Sequence, residues 1–246
     1  MRHTLYWERD PSDREPPPIG GTIEVGGDEA MHATKSKRLR EGDGCVVCDG
    51  AGTLASCVVE RATKSRVTLR VDGVERAMPA SPRVEVFGAT PKGQRLDKML
   101  DMLGQCGCAL WRPLTTARGV VEPGAHKLER ARRIGVEALK QSGRAHLMAI
   151  GGEASFEEAL APDEGVTILL ADGEGVWRPP TFGEVTHTVR VLVGPEGGFT
   201  PGERATALER DAGLVRLGVH VMRIETASVV ATAWAMMGGE GHQRDA

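Results

Sequence analysis

The first third of the chain alternates apolar and polar residues with a period of two. Runs of this kind occupy residues 22–25, 45–48, 54–62 and 66–74. Such alternation is typical of strands with one buried face, and the Asp-Gly pair after the second run favours a tight antiparallel hairpin. The pattern predicts a small β-barrel over residues 1–75, interrupted by a basic helical segment at 29–40.

After a proline-containing linker at residues 76–82, short apolar runs alternate with stretches of helical periodicity. The apolar runs are residues 84–89, 167–171, 189–193 and 214–217, and the helical stretches are 94–104, 128–141 and 227–237. Strands that are apolar throughout, with helices between them, are typical of a parallel sheet that is covered on both faces. We therefore predict an α/β domain over residues 83–246.

Composition mainly excludes classes of protein. The 246 residues are 40% hydrophobic and 26% charged, as in an ordinary soluble protein. The charged, proline-rich start lacks the apolar core of a signal peptide, and no apolar run is long enough to span a membrane, so we expect a cytoplasmic protein with no membrane partner. The five cysteines lack metal-ligand spacing, and we expect buried thiols and no metal.

Positive charge is concentrated in one segment of the chain. Between Lys92 and Arg144, eleven Lys or Arg stand against five Asp or Glu, which gives this segment +6 in a chain of net charge −3. A second basic cluster lies at residues 35–40. Both patches suit an anionic partner such as nucleic acid, and solvated helix faces are an equal alternative.

Two unusual loops follow strands of the predicted sheet. The first, GPEGGFTPGE at 194–203, ends in a pattern typical of a helix start with a capping box. Its glycines allow the backbone to approach a ligand at the carboxyl end of a strand, where such sheets bind ligands. Glu196 would repel a phosphate, so the loop favours an adenosine or a sulfonium cation, with a purely structural turn as the alternative. The second loop, at 217–227, would lie at the same edge.

At these residues the sequence resembles the RsmE family of 16S ribosomal RNA uridine N3-methyltransferases, which belong to the SPOUT superfamily. The matching motifs are GPEGGFT at 194–200, LGVHVMRIETA at 217–227, KGQRLD at 92–97, PLTTAR at 113–118 and EALKQSGR at 137–144. The resemblance implies a knotted α/β methyltransferase domain with a trefoil knot, preceded by a PUA-like RNA-binding β-barrel. It also implies S-adenosylmethionine as the cofactor, 16S ribosomal RNA of the small subunit as the substrate, and a homodimer.

The resemblance also assigns roles to residues. The expected cofactor pocket, formed largely by backbone groups, comprises Leu170, Ala171, Gly194, Pro195, Glu196, Gly197, Gly198, Leu217, Gly218, Val221, Met222 and Arg223. The catalytic candidates are Arg223, Arg144 and Arg118, as cations that stabilise a uracil anion, and Glu225 or Glu196 as the general base. The alternative for Glu225 is a carboxylate that satisfies amides at a helix start. RNA contacts are expected from Lys35, Lys37, Arg38, Arg40, Lys92, Arg95, Arg118, Gln141 and Arg144.

The chain departs from the family pattern at four positions. Gln105, Ala117 and Lys140 replace glutamates of the family, and His220 replaces an arginine. We expect these changes to alter the RNA-binding face and the target nucleotide more than methyl transfer itself. The alternatives are a methyltransferase for another RNA site and a non-catalytic RNA-binding or ribosome-assembly protein that kept the pocket. A dinucleotide-binding oxidoreductase is disfavoured because no GxGxxG motif follows the strand at 84–89.

Overall fold

The computed structural model describes residues 3–9, 15–119, 125–176, 182 and 187–238. The chain divides into two compact units. The first consists of Met1–Pro79 together with Leu139–Leu147, and the second of Ala80–Ala138 together with Met148–Ala246. The domain bounds 1–75 and 83–246 follow from the linker pattern and stay predictions.

The first unit contains a five-stranded sheet with the order β1-β3-β4-β5-β2. Its strands are β1 (His3–Tyr6), β2 (Thr22–Gly26), β3 (Gly44–Cys48), β4 (Thr53–Ala62) and β5 (Arg66–Arg76). β1 pairs with β3 in parallel and the other neighbours are antiparallel. The four predicted strands are confirmed, whereas the polar start of the chain gave no signal for β1. The helix α1 (Gly27–Met31) and a π-helical turn (His32–Ser36) follow β2.

The turn between β3 and β4 is organised by Asp49. Its Oδ1 accepts hydrogen bonds from the backbone N–H groups of Ala51 at 2.8 Å and Thr53 at 2.9 Å, and its Oδ2 lies 3.4 Å from the Arg9 guanidinium. Burial opposes ionisation, but the hydrogen bonds from Thr53 and Ala51 hold the pKa of Asp49 below its ordinary value. The predicted hairpin is confirmed, since Cys48 pairs with Leu54 across this turn.

All five cysteines are reduced thiols. Burial raises the pKa of Cys45 to about 11 and that of Cys48 and Cys57 to about 12. Cys108 is also buried, and Cys106 is half-buried. Within the described residues, no group of three or more His, Cys, Asp or Glu is arranged to hold a metal ion.

The second unit contains a parallel sheet with the order β12-β10-β11-β6-β7-β8, and β9 pairs with β7. Its strands are β6 (Arg83–Gly88), β7 (Leu110–Thr115), β8 (Ala149–Ile150), β9 (Ala154–Ser155), β10 (Val166–Val176), β11 (Thr188–Val193) and β12 (Gly213–Val215). Its helices are α2 (Gln94–Cys106), α3 (Ala125–Ser142), α4 (Phe156–Ala159), α5 (Pro201–Glu209) and α6 (Ile224–Met236). The last turn of α3 falls in Leu139–Leu147 of the first unit. The predicted α/β class with a parallel sheet is confirmed.

Successive residues of the central strands belong to different cores. Val86 of β6 and Val191 of β11 belong to the core that includes α2 and α6, whereas their neighbours Phe87 and Leu192 belong to the core that includes α4 and α5. Apolar side chains are therefore needed at every strand position, which explains the continuous apolar runs. None of the described helices has both the length and the apolar character needed to cross a membrane.

Candidate active site

A cavity of about 440 Å³ lies at the carboxyl ends of β11 and β12, beside the point at which the pairing of β10 becomes irregular after Ala171; this volume is within the usual size range of cofactor pockets. Three segments line it, namely residues 171–173 within β10 and the loops at 193–198 and 216–222, together with Ile224 and Ala227 at the start of α6. Parallel strands end at the same edge of a sheet, so loops that are distant in sequence come together here.

The loop after β11 is held in a tight turn. Gly198 donates its N–H to the Pro195 carbonyl at 2.8 Å and has a φ of +65°, a conformation that favours glycine. The Arg118 guanidinium donates to the Gly197 carbonyl at 2.5 Å. The loop between β7 and α3 thereby restrains the glycine loop.

The helix α5 begins with the predicted capping box. The Glu203 N–H donates to Thr200 Oγ1 at 3.1 Å, and the Thr200 N–H donates to Glu203 Oε2 at 2.7 Å. Glu203 Oε1 also accepts the N–H of Ala117 at 2.8 Å. One carboxylate therefore joins the helix start, the glycine loop and the loop after β7.

The loop after β12 is shaped by Arg216. Its guanidinium donates to the carbonyls of Gly218 at 3.1 Å and Val219 at 3.0 Å. A Cβ atom added at Gly218 would lie 2.3 Å from the end of the Met222 side chain, so a larger residue would require that side chain to move. At the rim of the cavity, Val221 is 98% exposed.

Acidic side chains stand at two places in the cavity wall. Asp172 is largely buried, and its carboxylate lies 3.5 Å from the Arg204 guanidinium. Glu196 is more exposed and lies 3.9 Å from Arg95, which is also 3.9 Å from Glu225. Glu225 Oε2 is buried and has no hydrogen-bond partner among the described residues. The cavity therefore combines apolar and backbone walls with carboxylates that favour a positively charged ligand.

Most of the residues predicted to bind a cofactor come together in this cavity. Only Leu170 and Arg223 of that set are absent from its lining. Leu170 is fully buried in the core beneath the cavity, and Arg223 is an exposed residue that precedes α6. Their backbones still belong to the strand and loop that shape the site.

The residues predicted to contact RNA are distributed over both units. Lys92 and Arg95 lie at the start of α2, whereas Gln141 and Arg144 belong to Leu139–Leu147 of the first unit. In the basic cluster at 35–40, Lys35, Arg38 and Arg40 are exposed. The Lys37 ammonium is half-buried and donates to the carbonyl of Thr4.

The four departures from the family pattern are not all on an exposed face. That expectation is wrong for Lys140, which is 7% exposed and donates to Glu29 Oε2 at 2.7 Å. His220 lines the cavity. Gln105 is exposed and donates to Asp101 at 3.0 Å. The substitution at Lys140 therefore places a lysine in a buried ion pair with Glu29.

Several residues of the cavity wall had not been assigned to it from the sequence, namely Gly173, Val193, Arg216, Ile224 and Ala227. Arg216 offered a signal, because it is the charged residue within an otherwise apolar run at 214–217. The other four are apolar or small and had no such signal. Asp172 directly follows the predicted strand at 167–171 and belongs to a segment that was expected to form the pocket; in the structure it lies within β10.

Two family models match the chain. The one described as an RNA methyltransferase domain matches residues 79–236, and the one described as an RNA methyltransferase PUA domain matches residues 25–72. Together they cover most of both units.

Curated relatives match along nearly the whole chain. Ribosomal RNA small subunit methyltransferase E of Mycobacterium bovis is 33% identical over 228 residues, which cover 87% of this chain and 86% of that protein. The protein of the same name from Bacillus subtilis is 25% identical and covers 85% of this chain and 88% of its own length.

Solved structures share the fold. Ribosomal RNA small subunit methyltransferase E of Neisseria gonorrhoeae, bound to S-adenosyl methionine, has a TM-score of 0.80 at 24% identity and covers 95% of this chain and 96% of its own. A probable rRNA-methyltransferase from Porphyromonas gingivalis has a TM-score of 0.78 at 26% identity, with coverage of 96% and 98%.

Proposed function

The chain belongs to the RNA methyltransferase family of ribosomal RNA small subunit methyltransferase E, and from this premise we propose that it transfers a methyl group from S-adenosylmethionine to N3 of a uridine in 16S ribosomal RNA. The observation that carries the proposal is the cavity of about 440 Å³ at the strand ends. Its walls are backbone-rich loops, and carboxylates stand beside them. The uridine N3 specificity comes from the resemblance in the motifs at 194–200 and 217–227.

The cavity suits a ligand that combines an adenosine with a sulfonium cation. The glycine loop at 193–198 brings main-chain groups close to the ligand, and Leu217 and Met222 supply apolar surface. Asp172 can bond to an ammonium or ribose hydroxyl, and Glu196 attracts positive charge. The relative from Neisseria gonorrhoeae, which is bound to S-adenosyl methionine, supports the same cofactor here.

The chemistry requires a proton acceptor near the base. When bound, the cofactor supplies a methyl group on a sulfonium sulfur; transfer forms the N3–C bond and breaks the C–S bond, whose electron pair goes to sulfur. The chain's task is to accept the N3 proton and hold the base in line. Glu225 and Glu196 are the candidate acceptors, and both lie 3.9 Å from Arg95.

Cations stabilise the uracil anion as it forms. We propose Arg223 and Arg144 for this role. The third candidate, Arg118, already bonds to the Gly197 carbonyl through its guanidinium. Arg118 would then act by fixing the cofactor loop.

RNA would be held mainly through phosphate contacts. In the first unit the exposed Lys35, Arg38 and Arg40 are proposed to make them, with Gln141 and Arg144. Lys92 and Arg95 are proposed to act closer to the reacting base. A cytoplasmic location, expected from the sequence, and a homodimer, implied by the resemblance, complete the proposal.

The test is transfer of radiolabelled methyl from S-adenosylmethionine to small ribosomal subunits lacking N3-methyluridine, followed by digestion to nucleosides. We expect the label in N3-methyluridine. We also expect Glu225→Gln or Glu196→Gln to lower kcat by about 100-fold or more, because the candidate base is lost. Glu225 does not line the cofactor cavity, whereas Glu196 does, so only Glu196→Gln should also weaken cofactor binding. Glu209→Gln, at an exposed position at the end of α5, is the matched control and should transfer like the wild type.

Label in another nucleoside would contradict the uridine N3 assignment and leave a methyltransferase with another target. Cofactor binding without any label would instead favour a non-catalytic RNA-binding or assembly protein.

A further inference from the structure

A smaller cavity of about 190 Å³ lies next to the cofactor cavity. It is bounded by the end of β6, the start of α2 and the end of β7, with Ala89 and Leu114 as apolar walls. Its volume is below that of pockets for drug-sized ligands, which hold about 300–1,000 Å³. The cavity therefore suits a single flat ring.

The two cavities share part of their walls. Pro195, Glu196 and Ile224 line both of them. A ligand in the small cavity would therefore lie directly against a ligand in the large one. Methyl transfer requires this arrangement, because the attacking atom must approach the methyl carbon to roughly 3–3.5 Å.

Thr90 is a wall residue of the small cavity with an unpartnered hydroxyl. The residue lines the cavity and is 7% exposed, and its Oγ1 is buried with no hydrogen-bond partner among the described residues. Buried hydroxyls are normally hydrogen-bonded, and leaving one without a partner destabilises the protein. A polar ligand in the cavity would supply the missing partner.

Charged side chains, both donors and acceptors, stand at the same cavity. Lys92, Arg95 and Glu196 line it, and Glu225 lies beyond Arg95. Both carboxylates are 3.9 Å from the Arg95 guanidinium, which is longer than a charged hydrogen bond. Arg95 and Lys92 can therefore turn N–H groups towards a carbonyl oxygen of a ligand.

We propose that this small cavity holds the target base as a uracil ring turned out of the RNA stack, with Thr90 and Lys92 hydrogen-bonded to its polar edge. Uracil offers carbonyl oxygens where cytosine has an amino group, so the donors Lys92 and Arg95 favour uracil. They also stabilise the negative charge on the oxygens when the N3 proton passes to a carboxylate beside Arg95. N3 then bonds to the methyl carbon as its bond to sulfur breaks. The inference rests on the proposed function and names the place of its substrate base.

The test compares full-length Thr90→Val and Lys92→Gln with matched controls. Thr232→Val removes a buried hydroxyl that bonds to the Ser228 carbonyl within α6, outside both cavities. Lys98→Gln removes a charge from the exposed face of α2. Transfer to small subunits gives kcat/KM, and calorimetry with S-adenosylmethionine gives the cofactor Kd.

We expect Thr90→Val and Lys92→Gln to lower kcat/KM by about 10- to 100-fold, as for the loss of one hydrogen bond to a charged or buried group. The cofactor Kd should stay within about twofold, because neither residue lines the cofactor cavity. In Lys92→Gln the rise of the transfer rate with pH should move to more alkaline values, because the uracil anion loses a stabilising cation. A purely structural role would leave that pH profile unchanged.

Failure of the inference differs from failure of the proposed function. If the wild type labels small subunits and both variants transfer like their controls, the base lies elsewhere and the function stands. If Lys98→Gln lowers kcat/KM as much as Lys92→Gln does, Lys92 acts only through general attraction of RNA, and its assigned role is wrong. If the variants lose cofactor affinity, the small cavity belongs to the cofactor. If the wild type labels no RNA, the proposed function itself fails.

Lys92 is exposed, so Lys92→Gln is expected to fold normally. It keeps the test usable should Thr90→Val fold poorly.

Discussion

Lys140 occupies a position at which the family that the sequence resembles has a glutamate. Its ammonium lies 2.7 Å from Glu29 Oε2. The Lys140 side chain is 3% exposed and that of Glu29 is 16% exposed. Glu29 Oε1 also accepts the N–H of Tyr6 at 3.1 Å, so both carboxylate oxygens are used. A buried pair contributes little net stability, but removal of one partner leaves the other charge uncompensated.

We therefore expect Lys140→Met to lower the free energy of unfolding by about 3–5 kcal/mol. The double variant Lys140→Met with Glu29→Gln should recover much of that loss, because no buried charge remains. Lys127→Met, on an exposed part of the same helix, should change stability by less than about 0.5 kcal/mol. Urea unfolding of the three variants measures these differences. A single Lys140→Met variant as stable as the wild type would show that Glu29 is well solvated without its partner.

At the scale of elements, the same capping box occurs twice within the part of the second unit that the structure describes. In α4, the Glu158 N–H donates to Ser155 Oγ at 3.1 Å and the Ser155 N–H donates to Glu158 Oε2 at 2.8 Å. In α5, Thr200 and Glu203 make the same pair of bonds. Only the α5 box follows the glycine loop of the cofactor cavity and accepts the N–H of Ala117.

Removal of the capping hydroxyl should affect stability at both helices, but cofactor affinity at only one of them. Ser155→Ala and Thr200→Ala should each lower stability by about 1 kcal/mol through loss of the cap. Only Thr200→Ala should also weaken S-adenosylmethionine binding, by several-fold, because the glycine loop loses its anchor at the helix start. Urea unfolding and calorimetry measure the two effects separately. Equal cofactor affinity in the two variants would mean that the loop keeps its shape without the box.

The elements that were predicted from the sequence are those with a signal inside their own residues. The α5 start could be predicted because Thr-Pro-Gly-Glu combines a cap, a helix-starting proline and a reciprocal carboxylate. β7 gave no such signal, because Pro113 argues against a strand within a sheet. Along β7, β8 pairs with Leu110 and Trp111 while β9 pairs with Leu114 and Thr115. The missing N–H of Pro113 falls in the gap between these partners.

The parts of the site that could be predicted from the sequence are the glycine-rich loop and the segments that carry family motifs. Contacts between distant residues were not predictable in the same way. Arg118 bonds to a carbonyl 79 residues away, and Lys140 bonds to a carboxylate 111 residues away. Thr90 is one threonine among many in the sequence, and only its burial without a partner beside a cavity distinguishes it. Such features depend on the assembled sheet.

At the scale of the whole molecule, the compact unit at the N-terminus is not continuous in sequence. It includes Leu139–Leu147, whose backbone bonds to the β3–β4 turn. The Gly52 N–H donates to the Ala145 carbonyl at 3.0 Å, and the Leu147 N–H donates to the Gly50 carbonyl at 2.9 Å. A linker pattern such as that at 76–82 marks where a chain passes between units, and gives no sign that a later segment returns. The trefoil knot and the homodimer stay predictions that come from the resemblance.

This arrangement predicts how fragments behave. Residues 1–79 alone lack the two backbone hydrogen bonds to the turn, and Glu29 lacks Lys140, so the fragment should unfold at a lower urea concentration than the same residues joined to 139–147 by a Gly/Ser linker. The losses of a buried pair and two hydrogen bonds sum to several kcal/mol, which is comparable to the stability of a small domain. The matched control is the joined fragment with Lys140→Met, which keeps the backbone hydrogen bonds and removes the ion pair. It should unfold at a urea concentration between those of the other two fragments. If fragment 1–79 is as stable as the joined form, residues 139–147 contact a unit that folds without them and do not contribute to its stability.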